Sequence, residues 1–380
     1  MDEAVALAAV EHAEQEPLLG HRVAPVRAAI DAAAAILDAV EVPALRARLM
    51  LRLASVKMVE QDYDGADQAL EAVGRHVPDD PALRFLCGVR ACRVAIRRGA
   101  EPRRFARETL LAVADRLDAF ETVGPAWGGV TSEVALAIAE LALHDDEPDS
   151  TAFEPIAAMA KGLRADPRFA DLAFAGDQLV AAFAIQTADP ERAAHALRSA
   201  VQIAKAAESP RDEIESRLAL ASVLASLATP IALDEAMSTA QHAHDRAIEQ
   251  KLTDLAGAAL VAQAGVLAAD GKTAQAIDRV LELARAAVAK QDVHQYIAAV
   301  AIMAELYTKS GDYVSAFRTV AESHRALAEA TKGDPIELFR PLLVRLRDHI
   351  GPERLDKIAA EVATANQLLA QIGFRSVPKS

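Results

Sequence analysis

Apolar and polar positions along this chain recur at helical spacing, most plainly between Thr253 and Thr331. There LAGAALVAQAGVLAADGKTAQAIDRVLELARAAV is followed by IAAVAIMAELYTKSGDYVSAFRTVAESHRALAEA. Each copy has an apolar helical run, a short turn at Asp270-Gly271 or Ser310-Gly311-Asp312, and a second run opening on a small residue, Ala276 or Ala316. From that residue, apolar or small side chains return at +4, +7 and +11, which line one face of a helix. Self-similarity at an interval of about 20 to 50 residues marks an array of stacked units.

The same face can be traced along nearly the whole chain. Val26, Ala66, Ala106, Ala152, Ala193, Ala236, Ala276 and Ala316 each open such a run, and Leu355 opens one that fails at Asn366, at intervals of 40, 40, 46, 41, 43, 40, 40 and 39 residues. Between consecutive runs lies room for one further helix. Helix starts are signalled by Asp80-Pro81, Asp166-Pro167 and Asp334-Pro335, the last with Glu337 placed for a capping box, and by Pro102, Pro190, Pro210 and Pro352. The pattern predicts an all-α fold, a right-handed α-solenoid of about nine antiparallel helix hairpins forming one array over 1–380. Two irregular stretches, ETVGPAWGGVT from Glu121 and HDDEPDS from His144, fall in the unit with the longest interval. A bend or sub-array boundary is expected at 119–151.

The turns resemble those of the tetratricopeptide repeat, which has large residues in its first helix, a G-D-Y-like turn and a small residue early in its second. Gly311-Asp312-Tyr313 with Ala316, preceded by Ala304 and Tyr307, carries the resemblance best. Tyr63 and Ala66 with Leu70, Val73 and Pro78 come next. The family's repeat is normally shorter than the interval here, so longer helices are expected. In the units anchored at Ala106 and Ala193 the first-helix core is shifted by one residue, to Val89, Cys92, Ile96 and to Gly176, Leu179, Phe183. The resemblance implies a scaffold that holds a peptide or protein partner along a groove.

Composition agrees with closely packed helices: 52% of residues are hydrophobic but only 4% aromatic, and the chain is rich in alanine. A net charge of −14 disfavours nucleic acid as partner. Cys87 and Cys92, five residues apart on a predicted helix, point away from each other and form neither a disulfide nor a metal site. The N-terminal MDEAVALAAVEHAEQE has acids where a secretory leader needs bases, and the run from Leu255 to Ala269 is too short to span a membrane. A cytoplasmic protein without membrane insertion is expected, and the alanine- and arginine-rich style points to a bacterial source.

Against that acidic background, Arg84 to Arg107 holds eight arginines and one acid, Glu101. Arg90, Arg93 and Arg97 share one side of a helix beside the apolar face of Phe85, Val89, Cys92 and Ile96. With Arg104, they form a candidate docking stripe for an acidic peptide or a phosphate group, because guanidinium forks suit both. In the competing reading these arginines pair with acids of adjacent units, such as Asp62, Asp64, Asp67 or Asp145-Asp146-Glu147, and solvate a face.

Other chemistry is thin. His242 and His244 point apart on a helix, and His144 beside Asp145, Asp146 and Glu147 lacks the alternation of a calcium loop. Gly124, Gly128 and Gly129 around Trp127 follow no strand and suggest a hinge, with Trp127 as its wedge. Gly257, Ala258, Val261 and Gly265 are read as core, permitting close contact between hairpins. No phosphate loop, nucleophile elbow or C-x-x-C motif occurs, and neither metal nor cofactor is expected. The expected function is a non-catalytic interaction scaffold, the alternative being a sensing module that acts with a separate effector.

Overall fold

The structure, a computed structural model, describes residues 3–16, 18, 23–76, 81–99, 106, 108–110, 127–144, 154–163 and 169–362. They divide into two compact units, 1–223 and 224–380. In the first unit the helices are α1 (Glu3–Gln15), α2 (Val23–Leu37), α3 (Pro43–Val59), α4 (Tyr63–His76), α5 (Pro81–Arg98), α6 (Trp127–Ala142), α7 (Glu154–Leu163), α8 (Ala170–Gln186) and α9 (Pro190–Ala206). Helix α10 (Pro210–Ser226) crosses the division. The second unit continues with α11 (Pro230–Glu249), α12 (Thr253–Ala269), α13 (Thr273–Lys290), α14 (Val293–Lys309), α15 (Tyr313–Thr331), α16 (Ile336–Ile350) and α17 (Pro352–Glu361). No strand occurs among the described residues.

Within each unit a helix packs on its sequence neighbours, and first helices also meet first helices: α1 with α3, α3 with α5, α6 with α8, α14 with α16. This is the all-α, hairpin-on-hairpin stacking of a tetratricopeptide-like solenoid. The anchored face is its core. Val26, Ile30, Ala33 and Leu37 are buried, as are Ala193, Leu197, Ala200 and Ala204, and all four anchored positions of α11, α13 and α15. Ile156 is buried too, while Met159 and Leu163 further along α7 are only half-buried. Val113 and Leu117 lie outside the described residues.

The short turns explain how one hairpin follows another. A left-handed residue stands between most pairs of helices: Gln61, Ala188, Glu208, Ala228, Lys251, Gly271, Gln291, Gly311 and Lys332. The next amide then reaches back to the preceding helix, as Asp189 N–H does to the Ala184 carbonyl at 2.7 Å and Asp312 N–H to that of Tyr307 at 2.9 Å. That closes a Schellman motif. In several turns the same residue opens the following helix. The carboxylates of Asp62, Asp189, Asp292 and Asp312 accept from the amides of Gly65, Arg192, Gln295 and Ser315 at 2.9–3.1 Å.

Two local expectations change. Pro335 stands at the N-cap of α16 and Asp334 one residue before it, accepting from Ile336 N–H at 3.1 Å, while Glu337 turns to Arg340, two contacts at 2.6 and 3.0 Å, instead of completing a box. Among the small residues of α12, only Gly257 provides the close approach foreseen: a Cβ there would stand 2.6 Å from Gln295 Nε2 and 3.0 Å from Leu283 Cδ1. Ala258 and Gly265 are exposed and Val261 is half-buried. Seven residues apart, Ala258 and Gly265 share a side of the helix, while Gly257 lies about 100° around from Ala258. The expected boundary at 119–151 falls largely outside the described residues.

Candidate functional site

First helices are buried on two sides, which leaves each a narrow stripe for polar groups. In α3, Leu45, Leu49 and Val56 belong to the core shared with α1 and α2. Ala47, Leu51, Ala54 and Met58 belong to the next core, shared with α4 and α5. In α5, Val89, Cys92 and Ile96 pack with Ala106, Leu110 and, on α6, Val134, Ala137 and Leu141, while Val94 joins the preceding core. What remains of α5 is the line through Arg90, Arg93 and Arg97.

That line meets a matching one on α6. Arg90 grips Glu133 through two contacts, Nε to Oε2 at 3.0 Å and Nη2 to Oε1 at 2.6 Å. Arg93 holds Glu140 through contacts of 2.7 and 3.3 Å, and Arg97 shares Glu140 Oε1 at 3.0 Å. Arg90 and Arg97 are seven residues apart, as are Glu133 and Glu140, so the stripes register as two turns of helix against two. Such forked pairs are the strong form of the charge-assisted hydrogen bond. Arg90 also donates to the Leu51 carbonyl on α3.

The ladder continues across the first helices. Arg52 on α3 donates to the carbonyls of Ala13 and Glu16 at the end of α1, and its Nη1 stands 3.3 Å from Asp171 Oδ2 on α8. Nearby, Arg48 grips Glu14. At the other edge Arg98 meets Asp64 and Asp67 at 2.6 and 2.8 Å.

Burial alone opposes the charge on Arg90, Arg93, Glu133 and Glu140 and is the largest single influence on each of the four. For Glu140 the guanidiniums of Arg93 and Arg97 outweigh it and hold the carboxyl down to about 2. For Glu133, Arg90 and then Arg93 do the same, keeping it below the usual carboxylate range. Burial is likewise outweighed at Arg90, by Glu133, and at Arg93, by Glu140, so both guanidiniums titrate above their ordinary value. These four groups therefore stay ionised through neutral pH and suit the fixing of charge, not proton transfer. Across the whole ladder the guanidiniums of Arg48, Arg52, Arg90, Arg93, Arg97 and Arg98 are matched by the carboxylates of Glu14, Asp64, Asp67, Glu133, Glu140 and Asp171, six against six.

The structure thus places Arg90 and Arg93 inside a network, with side chains only 12% and 11% exposed. Arg97, 35% exposed, is the member open to solvent. Arg104 lies outside the described residues, as do Asp145-Asp146-Glu147. Pairing with Asp64 and Asp67, anticipated for the stripe, is made by Arg98; Glu133 and Glu140 were not foreseen. Their signal was present in the seven-residue spacing that α5 and α6 share.

The other candidates do not converge. His242 Nδ1 lies 3.0 Å from the Ser238 carbonyl of its own helix, and His244 beside Asp245 at 3.6 Å. Cys87 rests against the Leu70 carbonyl, and burial pushes the Cys92 thiol up to about 11. Among the described residues no group of three or more His, Cys, Asp or Glu is placed to hold a metal, and no helix is long and apolar enough to cross a membrane. The side chain of Trp127 lies outside the described residues.

Hairpins stacked on their successors, with polar groups gathered along the first helices, define the class: a tetratricopeptide-like helical array. No protein-family model matches the chain, and no curated protein matches it in sequence. Among solved structures it is similar to a signal transduction ATPase with numerous domains (STAND) protein with a tetratricopeptide repeat sensor, from Pyrococcus horikoshii. The TM-score is 0.56 at 14% identity, over 85% of this chain and 48% of that one. The likeness is one of fold, and the chain spans about half the length of that neighbour.

Proposed function

We propose that this chain is a non-catalytic interaction array that holds a peptide or protein partner along its first helices. The observation that carries the reading is a contrast in unit 2. The middle turns of the first helices α12 and α14, 255–268 and 295–304, expose only Ala258, Gly265 and Ala298, whereas the second helices α13 and α15 expose Asp278, Glu282, Arg285, Arg318, Glu322 and Arg325, beside Val288 and Ala326. Charged faces keep a body soluble, and small apolar faces admit another chain closely. Arg97 supplies a cation to an acidic partner at the edge of the ladder in unit 1. The net charge of −14 supports a partner other than nucleic acid. A cytoplasmic, bacterial setting belongs to the same proposal.

A photo-crosslinking residue placed at Ala258 or Ala298, and separately at Glu282 or Glu322, tests this. One partner crosslinking in stoichiometric amount from the first-helix positions alone is the expected result; equal crosslinking from both sets sinks the reading. A second reading, a ligand-sensing module that acts with a separate effector, is favoured by the neighbour's sensor and by the chain's matching only part of it. Thermal stabilisation by a small metabolite, with no protein crosslinked, selects that reading.

A further inference from the structure

First helices with a neighbour on either side are buried twice: α3 and α5 each contribute to two successive cores. Away from their first and last turns, α3, α5, α8, α10, α12 and α14 expose no large apolar side chain. Helices α1 and α16 differ. Each gives one side to a single core, α1 through Ala6, Val10 and Ala13 and α16 through Phe339, Leu342, Leu343 and Leu346. The other side is open. Ala4, Leu7, Ala8 and Glu11, all exposed, span about 100° of α1, and Leu338, Pro341, Val344 and Arg345, also exposed, span about 120° of α16. These two helices hold four of the eight large apolar side chains exposed among the described residues, Val5, Leu7, Leu338 and Val344. A unit that caps a stacked array ordinarily turns a polar face outward, and these faces are not polar.

We infer that the open face of α16 on one copy of the chain stacks on the open face of α1 on a second copy. The contact is the one the array already repeats, since α1 meets α3 and α14 meets α16. The open side of α16 is therefore the side an inner first helix gives to its successor, and that of α1 the side given to a predecessor. Charge selects the same pairing. Helix α1 contains Glu3, Glu11 and Glu14 but neither lysine nor arginine, and only Glu14 is gripped by Arg48. Two copies of α1 face to face would crowd their acids. Helix α16 instead offers Arg345, which forms no ion pair among the described residues. Its remaining charges on that side balance: Glu337 is paired with Arg340, and Asp348 lies a turn beyond Arg345. The pairing is heterologous, so each copy keeps one face free for the next.

Sedimentation velocity of the full chain across a concentration series tests this. Species larger than the monomer, growing with concentration, are expected; a monomer at every concentration overturns the inference and leaves α16 to be covered by residues 363–380 of its own chain. Leu7→Lys sets a cation against Arg345, and Val344→Glu sets an acid against Glu11. Either change alone is expected to weaken association about ten-fold or more, because every contact needs both faces. Mixed in equal amounts, the two variants should associate again and stop at pairs, since the sound α16 of one meets the sound α1 of the other. Self-association that survives in one variant and is lost in the other would mean like faces pairing, and overturns the inference, as does a mixture that stays monomeric.

Should either variant lose helicity, hydrogen exchange on the wild type decides. Raising the concentration is expected to slow exchange in both α1 and α16. Slowing in only one of them, or in neither, overturns the inference.

Discussion

A left-handed backbone costs an ordinary L-residue roughly 1–2 kcal/mol, yet seven of the positive-φ positions here are not glycine. Ala188, at φ 56°, has no side-chain polar group to repay that cost locally. Ala188→Gly should therefore stabilise the protein by about 0.5–1 kcal/mol, net of the extra entropy glycine loses on folding. A higher urea midpoint with an unchanged slope is the expected readout. The same residues explain why the family's turn was legible at only a few places: glycine marks it at Gly271 and Gly311, while elsewhere Gln, Ala, Glu or Lys adopts the same conformation unannounced. The arginine line was legible for a similar reason in reverse. Its spacing on one helix is local, whereas Glu133 and Glu140 lie over 40 residues away, and only the arrangement of α5 beside α6 brings them together.

Second helices such as α13 and α15 bury one face, so a single +4, +7, +11 test finds them. First helices bury two, and their apolar positions therefore interleave. The one-residue shift read at Val89, Cys92 and Ile96 is one of those faces; Val94 belongs to the other. Phe183 is buried as expected, but Leu179 is half-buried and Val180 takes the core position beside it. Gly176 has its own reason: a Cβ there would stand 3.0 Å from that of Ala160 on α7. Among alanine-rich faces the few large side chains carry much of the packing. Phe317 on α15 is fully buried in the core of unit 2, and Phe317→Ala is expected to cost about 3–5 kcal/mol. A loss below 1 kcal/mol in chemical denaturation would show that neighbouring hairpins close the gap.

For the molecule as a whole, the 40-residue interval made nearest-neighbour stacking legible, because each hairpin needs the next to cover its apolar face. The link from Arg52 to Asp171 was not legible, since it depends on how several hairpins accumulate rotation. The buried ladder also sets a pH dependence. Glu140 and Glu133 titrate lower in the folded chain than when unfolded, so their contribution is fully present above the ordinary glutamate value and is lost as pH falls toward about 2. Stability should be level from pH 8 to about 5 and then fall, with Glu140 alone responsible for on the order of 3 kcal/mol. A Glu133→Gln, Glu140→Gln variant should be less stable at neutral pH and show a shallower acid limb in guanidinium denaturation; an acid limb as steep as the wild type's would assign the loss to other carboxylates.

The turns in which one residue ends a helix and begins the next have a further effect. A protease must draw several residues of extended chain into its cleft, and a turn of two or three residues, tied at both ends, offers no such length. Cutting there requires that a hairpin first come apart, so resistance to digestion at these joints follows the unfolding equilibrium of whole hairpins and not the exposure of any single peptide bond.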